Sequence, residues 1–229
     1  MLPARLADEW TRLGLMEHAS IAAFARFTLQ LMSLGAPPDL IEGATSAMAD
    51  ETRHAKICFA IASRYAGRRL GPGALPVERS LNESSLLEIV LNTILEGCVG
   101  ETIAAIEAGE AAEHASDPTI RGVLSAISSD EATHAALAWR FVKWALTQGD
   151  TDFRSSVVSG FERLQAEAPL ASFLRMIPAD RELLQNGVVP ESMRDEIRAR
   201  TIEELIIPCA RALLGEVPTP PSSEPRAKW

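Results

Sequence analysis

A six-residue motif of ionisable side chains occurs twice in this 229-residue chain. The sequence Asp-Glu-x-x-His-Ala occupies residues 50–55 and again residues 130–135. In each copy the glutamate precedes the histidine by three positions, and residues three apart on an α-helix lie on the same face. Two such pairs on facing helices can bind metal ions between them, and carboxylate with imidazole suits iron or manganese. The four residues are Glu51, His54, Glu131 and His134.

Each copy of the motif lies in the middle of a long stretch in which apolar residues recur at helical spacing. Gly and Pro residues separate four such stretches, because Gly suits the end of a helix and Pro its first turn. The predicted helices cover about residues 6–34, 39–66, 82–114 and 118–147. The break at residues 67–81 is long enough to cross the length of a bundle, so the third helix is parallel or antiparallel to the second. The pattern is typical of a four-helix bundle with one crossover.

Each predicted helix also carries one acidic residue on an otherwise apolar face. On the first helix this residue is Glu17, which lies between Leu13 and Ile21 on that face. A buried carboxylate without a partner costs several kcal/mol or takes up a proton. Four carboxylates at one level of a bundle therefore require cations, and two divalent metal ions would balance their charge.

The third helix offers two candidates, Glu101 and Glu96. They are five residues apart, which turns a regular helix by about 140°, so both cannot face the same side. The small and apolar neighbours of Glu101 favour that residue, whereas the spacing of Glu96 from the second motif favours Glu96. We predict Glu101, with Glu96 as the alternative. A local π-bulge, a feature that often marks functional sites, would allow both to face the metals.

One glutamate from each of two helices and Glu-x-x-His from each of two others is the ligand pattern of ferritin-like di-iron carboxylate proteins. Residues 6–148 resemble this superfamily. The resemblance implies an all-α fold, a ferritin-like four-helix bundle, and two Fe ions as cofactor, with Mn or a mixed Fe/Mn pair as the alternative. It implies that Glu51 and Glu131 bridge the two ions. The implied metal ligands are Glu17, Glu51, His54, Glu101, Glu131 and His134.

The aspartate that opens each motif copy has an expected role of its own. A metal-bound histidine usually donates its other N–H to a carboxylate. In the family that the chain resembles, the acidic residue before the second motif glutamate often receives the histidine of the opposite helix. Asp130 is therefore expected to hold His54, and Asp50 to hold His134.

The domain organisation follows from where the long helical patterns stop. We assign residues 1–148 to the ferritin-like four-helix bundle. Residues 149–215 contain shorter helical patterns interrupted by Pro and Gly, and we expect a C-terminal helical extension packed on the bundle. Residues 216–229 are rich in Pro and Ser, a composition typical of a disordered tail.

The resemblance implies an oxidoreductase that activates O₂ to oxidise or hydroxylate a small molecule, with electrons from an unidentified donor. The alternative is a ferroxidase, iron-handling or peroxide-removing protein like the ferritins and rubrerythrins. The 81 residues after residue 148 favour the enzyme, since a storage shell does not need a substrate cover.

Composition narrows the partners and the location. A net charge of −9 weighs against nucleic acid, because phosphates require Lys and Arg for neutralisation. We expect no membrane partner, since no stretch of roughly 20 uncharged apolar residues is present. Three cysteines without close spacing favour a reducing cytoplasm. A homodimer is left open.

Overall fold

The computed structural model describes residues 2–78, 80, 85–167 and 177–215. Within these residues the chain is all-helical and contains no strand, which confirms the predicted all-α class. Residues 216–229, predicted to be a disordered tail, lie outside the described residues. The described helices are α1 Leu2–Ser33, α2 Pro38–Ala66, α3 Leu86–His114, α4 Pro118–Ala145, α5 Thr151–Glu167, α6 Pro178–Gln185 and α7 at residues 191–214.

Local sequence sets the ends of the long helices. Gly67 follows α2 with φ of 65°, in the left-handed region that glycine adopts without steric cost. Ser85 begins α3 with a capping box, since its hydroxyl accepts from the N–H of Glu88 and the Glu88 carboxylate accepts from the N–H of Ser85. Asp117 caps α4 through its side chain, directly before a proline in the first turn. The predicted ranges of the four long helices therefore agree with the structure to within a few residues. Helix α1 begins at Leu2, before its predicted start at about residue 6.

The long helices pair as two antiparallel hairpins. In the hairpin of α1 and α2, the backbone at Gly14 packs against the ring of Phe59, near the far end of α2. In the hairpin of α3 and α4, a methyl group on Gly97 would come within 2.5 Å of the Cβ of Ala138. The backbones of α3 and α4 therefore approach so closely that only glycine fits there.

The packing also fixes the direction of the third helix, which the sequence left open. Gly43 near the start of α2 lies against Leu137 near the end of α4, so α2 and α4 are antiparallel. Because α3 is also antiparallel to α4, α2 and α3 run in the same direction. The end of α2 and the start of α3 therefore lie at opposite ends of the four long helices.

The shorter helices cover both ends of the four long ones. Val157 and Phe161 of α5 and Ile202 of α7 are buried in one apolar cluster with residues of α3 and α4. Leu183 and Val188, from α6 and the residue stretch after it, are buried with Trp10 in a second cluster. Burying one such side chain fully contributes about 1.5–3 kcal/mol. The division into a domain at residues 1–148 and an extension at residues 149–215 stays a prediction.

Helix α3 is also long and apolar enough, by length and composition alone, to cross a membrane. The core helix of a water-soluble protein meets the same criterion. The cytoplasmic location and the lack of a membrane partner stay predictions.

Candidate metal centre

Helix α3 contains a π-helical segment, Ile94–Glu101, in its middle. In such a segment the backbone N–H bonds the carbonyl five residues back, which adds a residue to the turn and changes the direction of the side chains. Two glycines lie within it, and one of them, Gly97, is the close-approach position against α4. The local π-bulge considered from the sequence is therefore present at the position of the two candidate glutamates.

All six predicted ligands meet between the four long helices. Two groups of four residues form, and within each group one donor atom per residue lies within 4.8 Å of the others. The first group is Glu17, Glu51, His54 and Glu131. The second group is Glu51, Glu101, Glu131 and His134. Glu51 and Glu131 belong to both groups, which is the arrangement that bridging ligands require. A buried carboxylate and histidine cluster of this kind could hold a metal ion.

The π-helical segment separates the two glutamates of α3. Glu101 ends the segment and belongs to the second group, with a side chain that is 15% exposed. Glu96 has a side chain that is 52% exposed and forms a salt bridge with Arg26 of α1. The structure therefore brings Glu101, and not Glu96, to the other five residues.

Each motif aspartate contacts the histidine of the opposite motif. Nε2 of His54 lies 3.1 Å from Oδ2 of Asp130, and Nε2 of His134 lies 3.3 Å from Oδ2 of Asp50. The Nδ1 atoms of both rings face the glutamates of the two groups. Each ring therefore directs one nitrogen to a supporting carboxylate and the other to the centre of the cluster, as metal-bound histidines do.

Arg53 joins the two aspartates from the solvent side, and sequence reasoning missed it. Its Nη2 lies 3.2 Å from Oδ2 of Asp130, and its Nη1 lies 2.5 Å from Oδ1 of Asp50. The second motif has Thr133 at the same position, so the arginine serves both copies. Its place inside the motif was a signal that could have identified it.

Several buried polar atoms at the centre have no hydrogen bond of good geometry. They are both carboxylate oxygens of Glu51 and the Nδ1 atom of His54. Buried polar atoms without partners are rare in folded proteins, and each one needs an explanation. Oε2 of Glu51 and Nδ1 of His54 lie 3.9 Å apart, a separation that two ligands of one cation can have.

The surroundings shift the pKa values of three clustered glutamates in different directions. Burial raises the pKa of Glu51 to about 8, and the nearby charge of Glu131 adds to this effect. Burial also raises the pKa of Glu101 well above its ordinary value. Burial acts in the same direction on Glu131, but the adjacent rings of His134 and His54 hold the pKa of that carboxyl well below its usual range. The surroundings therefore favour the ionised form of Glu131 and the neutral forms of Glu51 and Glu101.

The two histidines are held in the charged form by these carboxylates. Burial alone would lower the pKa of His54, but the carboxylates of Glu131 and Glu17 beside it raise the pKa to about 11. Burial likewise opposes the charge on His134, and Glu131 with Glu51 raises its pKa to about 10. With no cation beside them, these carboxylates therefore favour the protonated form of both imidazoles.

Two cavities adjoin the cluster, one toward each end of the long helices. The Arg26 cavity is lined by Phe24, Arg26, Phe27, Glu96, Glu101 and His134, among others. The Arg194 cavity is lined by Trp10, Leu13, Glu17, Glu107, Glu131 and Arg194, among others. Each cavity reaches two of the six clustered residues. Sequence reasoning missed both arginines, because neither belongs to a motif.

Comparisons with protein-family models, with curated proteins and with solved structures give no match for this chain. Family and activity are therefore argued from the residues and their geometry alone.

Proposed function

We propose that this chain is a ferritin-like di-metal carboxylate protein, and that it is an oxidoreductase that uses O₂ to oxidise or hydroxylate a small molecule. The observation that carries the proposal is the pair of overlapping four-residue groups that share Glu51 and Glu131. The helix order supports it, since two antiparallel hairpins joined by one long crossover are typical of ferritin-like folds.

The residues fit a pair of iron ions, or a manganese or mixed pair. Four carboxylates and two imidazoles supply hard oxygen and nitrogen donors. The unpartnered oxygens of Glu51 and the unpartnered Nδ1 of His54 are the atoms that such ions would satisfy. Glu17 and His54 would hold one ion, Glu101 and His134 the other, and Glu51 with Glu131 would lie between them.

A bound iron pair would supply the electron-transfer chemistry that reduction of O₂ requires, with electrons from a donor still to be identified. The chain itself fixes the histidine rings through Asp130 and Asp50. Burial keeps bulk water from Glu51, His54, Glu131 and His134, which are only 1–3% exposed, and this strengthens electrostatic interactions there. The two cavities give a small substrate space beside Glu17 and Glu101. That space favours the oxidoreductase over the alternative of iron handling or peroxide removal.

The test begins with metal-free protein loaded with Fe(II) under anaerobic conditions. We expect about two irons per chain, and O₂ uptake when a chemical reductant is supplied in place of the natural donor. Gel filtration and iron counting after exposure to air then separate the two functions. A large shell that accumulates many irons per chain would establish iron handling instead. A chain that binds no iron or manganese would refute the metal centre itself.

A further inference from the structure

The Arg194 cavity has a volume of about 600 Å³, including its open mouth. Residues of all four long helices line it, together with Gly187, Val189 and Arg194 from the C-terminal stretch. At its inner end lie Glu17 and Glu131, two of the clustered residues. Most of its surface is apolar, with Leu13, Cys58, Ala104, Ala108, Ile127 and Val189 among the lining residues. The cavity therefore suits an apolar molecule that extends toward the metal centre.

Two lining residues bring hydrogen-bond donors that have no acceptor. Trp10 is fully buried, and its indole Nε1–H makes no hydrogen bond. The Nε–H of Arg194 is also buried without a hydrogen bond. An unpaired buried donor costs about 1–3 kcal/mol. Both residues line one cavity, so a ligand that carries oxygen acceptors would supply the partners that these donors lack.

The charges around Arg194 favour an anionic acceptor over a neutral one. Nη2 of Arg194 bonds Oε2 of Glu9 at 3.1 Å, and Nε of Arg12 bonds the same oxygen at 3.2 Å. One carboxylate thus serves two guanidinium groups. Oε2 of the other nearby acid, Glu107, lies 3.9 Å from Nε of Arg194, which is beyond hydrogen-bond distance. The Nε–H of Arg194 therefore has no anion at hydrogen-bond distance, and a ligand carboxylate would supply one.

We propose that the Arg194 cavity binds an apolar organic acid, with its carboxylate at Arg194 and Trp10 and its apolar part toward Glu17 and Glu131. The identification of this acid as the substrate rests on the proposed function, whereas its binding does not. This orientation keeps the carboxylate away from the clustered glutamates. The C-terminal stretch would then take part in ligand binding, since Arg194 belongs to α7 and not to the four long helices.

The binding test uses octanoate as the probe, with octylamine, 1-octanol and acetate as matched comparisons. Calorimetric titration of the full chain, with and without iron, should show one octanoate site. Octylamine and 1-octanol should bind about ten- to a hundredfold more weakly, which is the effect of losing a charge-assisted hydrogen bond. Acetate should show no saturable binding, because it lacks the apolar part. Octylamine or octanol binding as tightly as octanoate would overturn the proposal.

Three variants test where octanoate binds. They also test whether Arg194 binds octanoate directly or only holds α7 against α1. Arg194→Gln should weaken octanoate binding about ten- to a hundredfold. Glu9→Gln removes the same ion pair between α7 and α1 but keeps the cation, so it should leave binding equal or stronger. Arg26→Gln changes the arginine of the other cavity, which pairs with Glu96, and should have no effect on octanoate binding. Equal losses in Arg194→Gln and Glu9→Gln, or a loss in Arg26→Gln alone, would refute the assignment.

Metal content measured on the same samples distinguishes this inference from the proposed function. Octanoate binding without any bound iron or manganese would retain the ligand site and reject its role as substrate site. Two bound irons without octanoate binding would reject the inference and leave the proposed function standing. Octanoate binding that accelerates O₂ uptake by the iron-loaded protein would support both.

Discussion

The candidate metal centre consists of two half-sites with the same residue types. The first half-site comprises Glu17, Glu51 and His54 on α1 and α2. The second half-site comprises Glu101, Glu131 and His134 on α3 and α4. Helices α1 and α2 are regular, whereas Glu101 stands at the end of a π-helical segment. The same set of donors can therefore be presented by regular spacing or by one locally altered helix.

The surroundings of the half-sites differ as well. Asp50, which contacts His134, has a side chain that is 17% exposed, whereas Asp130, which contacts His54, is 32% exposed. The ring of Phe24 packs edge-on against His134 with centroids 5.1 Å apart. The two motif copies thus supply the same ligand types in different surroundings. Equivalent substitutions in the two half-sites should therefore change metal affinity by different amounts.

The largest effect is expected when one glutamate is removed from each half-site. Glu51→Ala combined with Glu131→Ala deletes the two residues shared by both four-residue groups. We expect metal content to fall from about two ions per chain to almost none, since neither ion keeps a complete ligand set. Elemental analysis after desalting measures this, and circular dichroism checks that the helices remain. The matched control, Glu42→Ala with Glu113→Ala, changes exposed glutamates on α2 and α3 and should retain the metal. Full metal content in the first variant would exclude the site.

The second effect is the release of protons when metal binds, and we expect two protons from each half-site. His54 and Glu51 in the first half-site, and His134 and Glu101 in the second, have raised pKa values in the metal-free protein. Metal binding needs all four deprotonated, so loading at pH 7 should release about four protons. Calorimetric titrations in buffers of different ionisation enthalpy count them. Release of fewer than two would mean that the metal-free cluster is already ionised.

The same pKa shifts give the stability of the two forms opposite pH dependences. The folded-state pKa values of His54 and His134, about 11 and 10, exceed the unfolded value of 6.5. Their contribution is therefore complete below pH 6.5 and is lost as the pH rises through 10 to 11. Thermal melting of the metal-free protein should shift to lower temperature between pH 7 and 10. The metal-loaded protein should instead lose stability as the pH falls, because protons displace the ions.

The third effect tests whether the π-helical segment selects the ligand. Glu101→Gln should reduce metal content from about two ions to about one per chain, because the second ion loses a charged ligand that only this half-site supplies. Glu17→Gln should do the same in the first half-site. Glu96→Gln, in the same segment, should leave two ions bound and remove only the salt bridge with Arg26. A loss of metal in Glu96→Gln equal to that in Glu101→Gln would mean that both glutamates bind.

The smallest effect compares the two supporting aspartates. Asp50→Asn and Asp130→Asn should each weaken metal binding about 10–100-fold. Asp50→Asn should have the larger effect, since its carboxylate is less solvated. Arg53→Gln should change affinity less than either, because the arginine side chain is 56% exposed and such pairs contribute about 0–1 kcal/mol. Competition with a metal chelator measures all three affinities.

Features that depend on local spacing, such as the shared face of each Glu-x-x-His pair, could be predicted from the sequence. The two Glu-x-x-His pairs lie in regular helices, and a three-residue separation has a single structural meaning there. Spacing alone did not decide between Glu101 and Glu96, because a π-helical turn shifts every following side chain. The prediction of Glu101 rested instead on its small and apolar neighbours. The direction of α3 and the pairing of Arg194 with Glu9, 185 residues away, depend on tertiary packing that no local pattern encodes.

The long connection at residues 67–85 also bears on how the chain reaches its folded state. Each hairpin is built from contacts close in sequence and can form quickly, whereas the cluster needs residues from both hairpins. Because Glu51 and Glu131 come from different hairpins, the complete cluster exists only after the hairpins have docked. A metal ion that binds only this docked form would stabilise it by mass action. The ion would then act as a removable cross-link, and a chain cleaved within the connection would stay associated for as long as the metal remains bound.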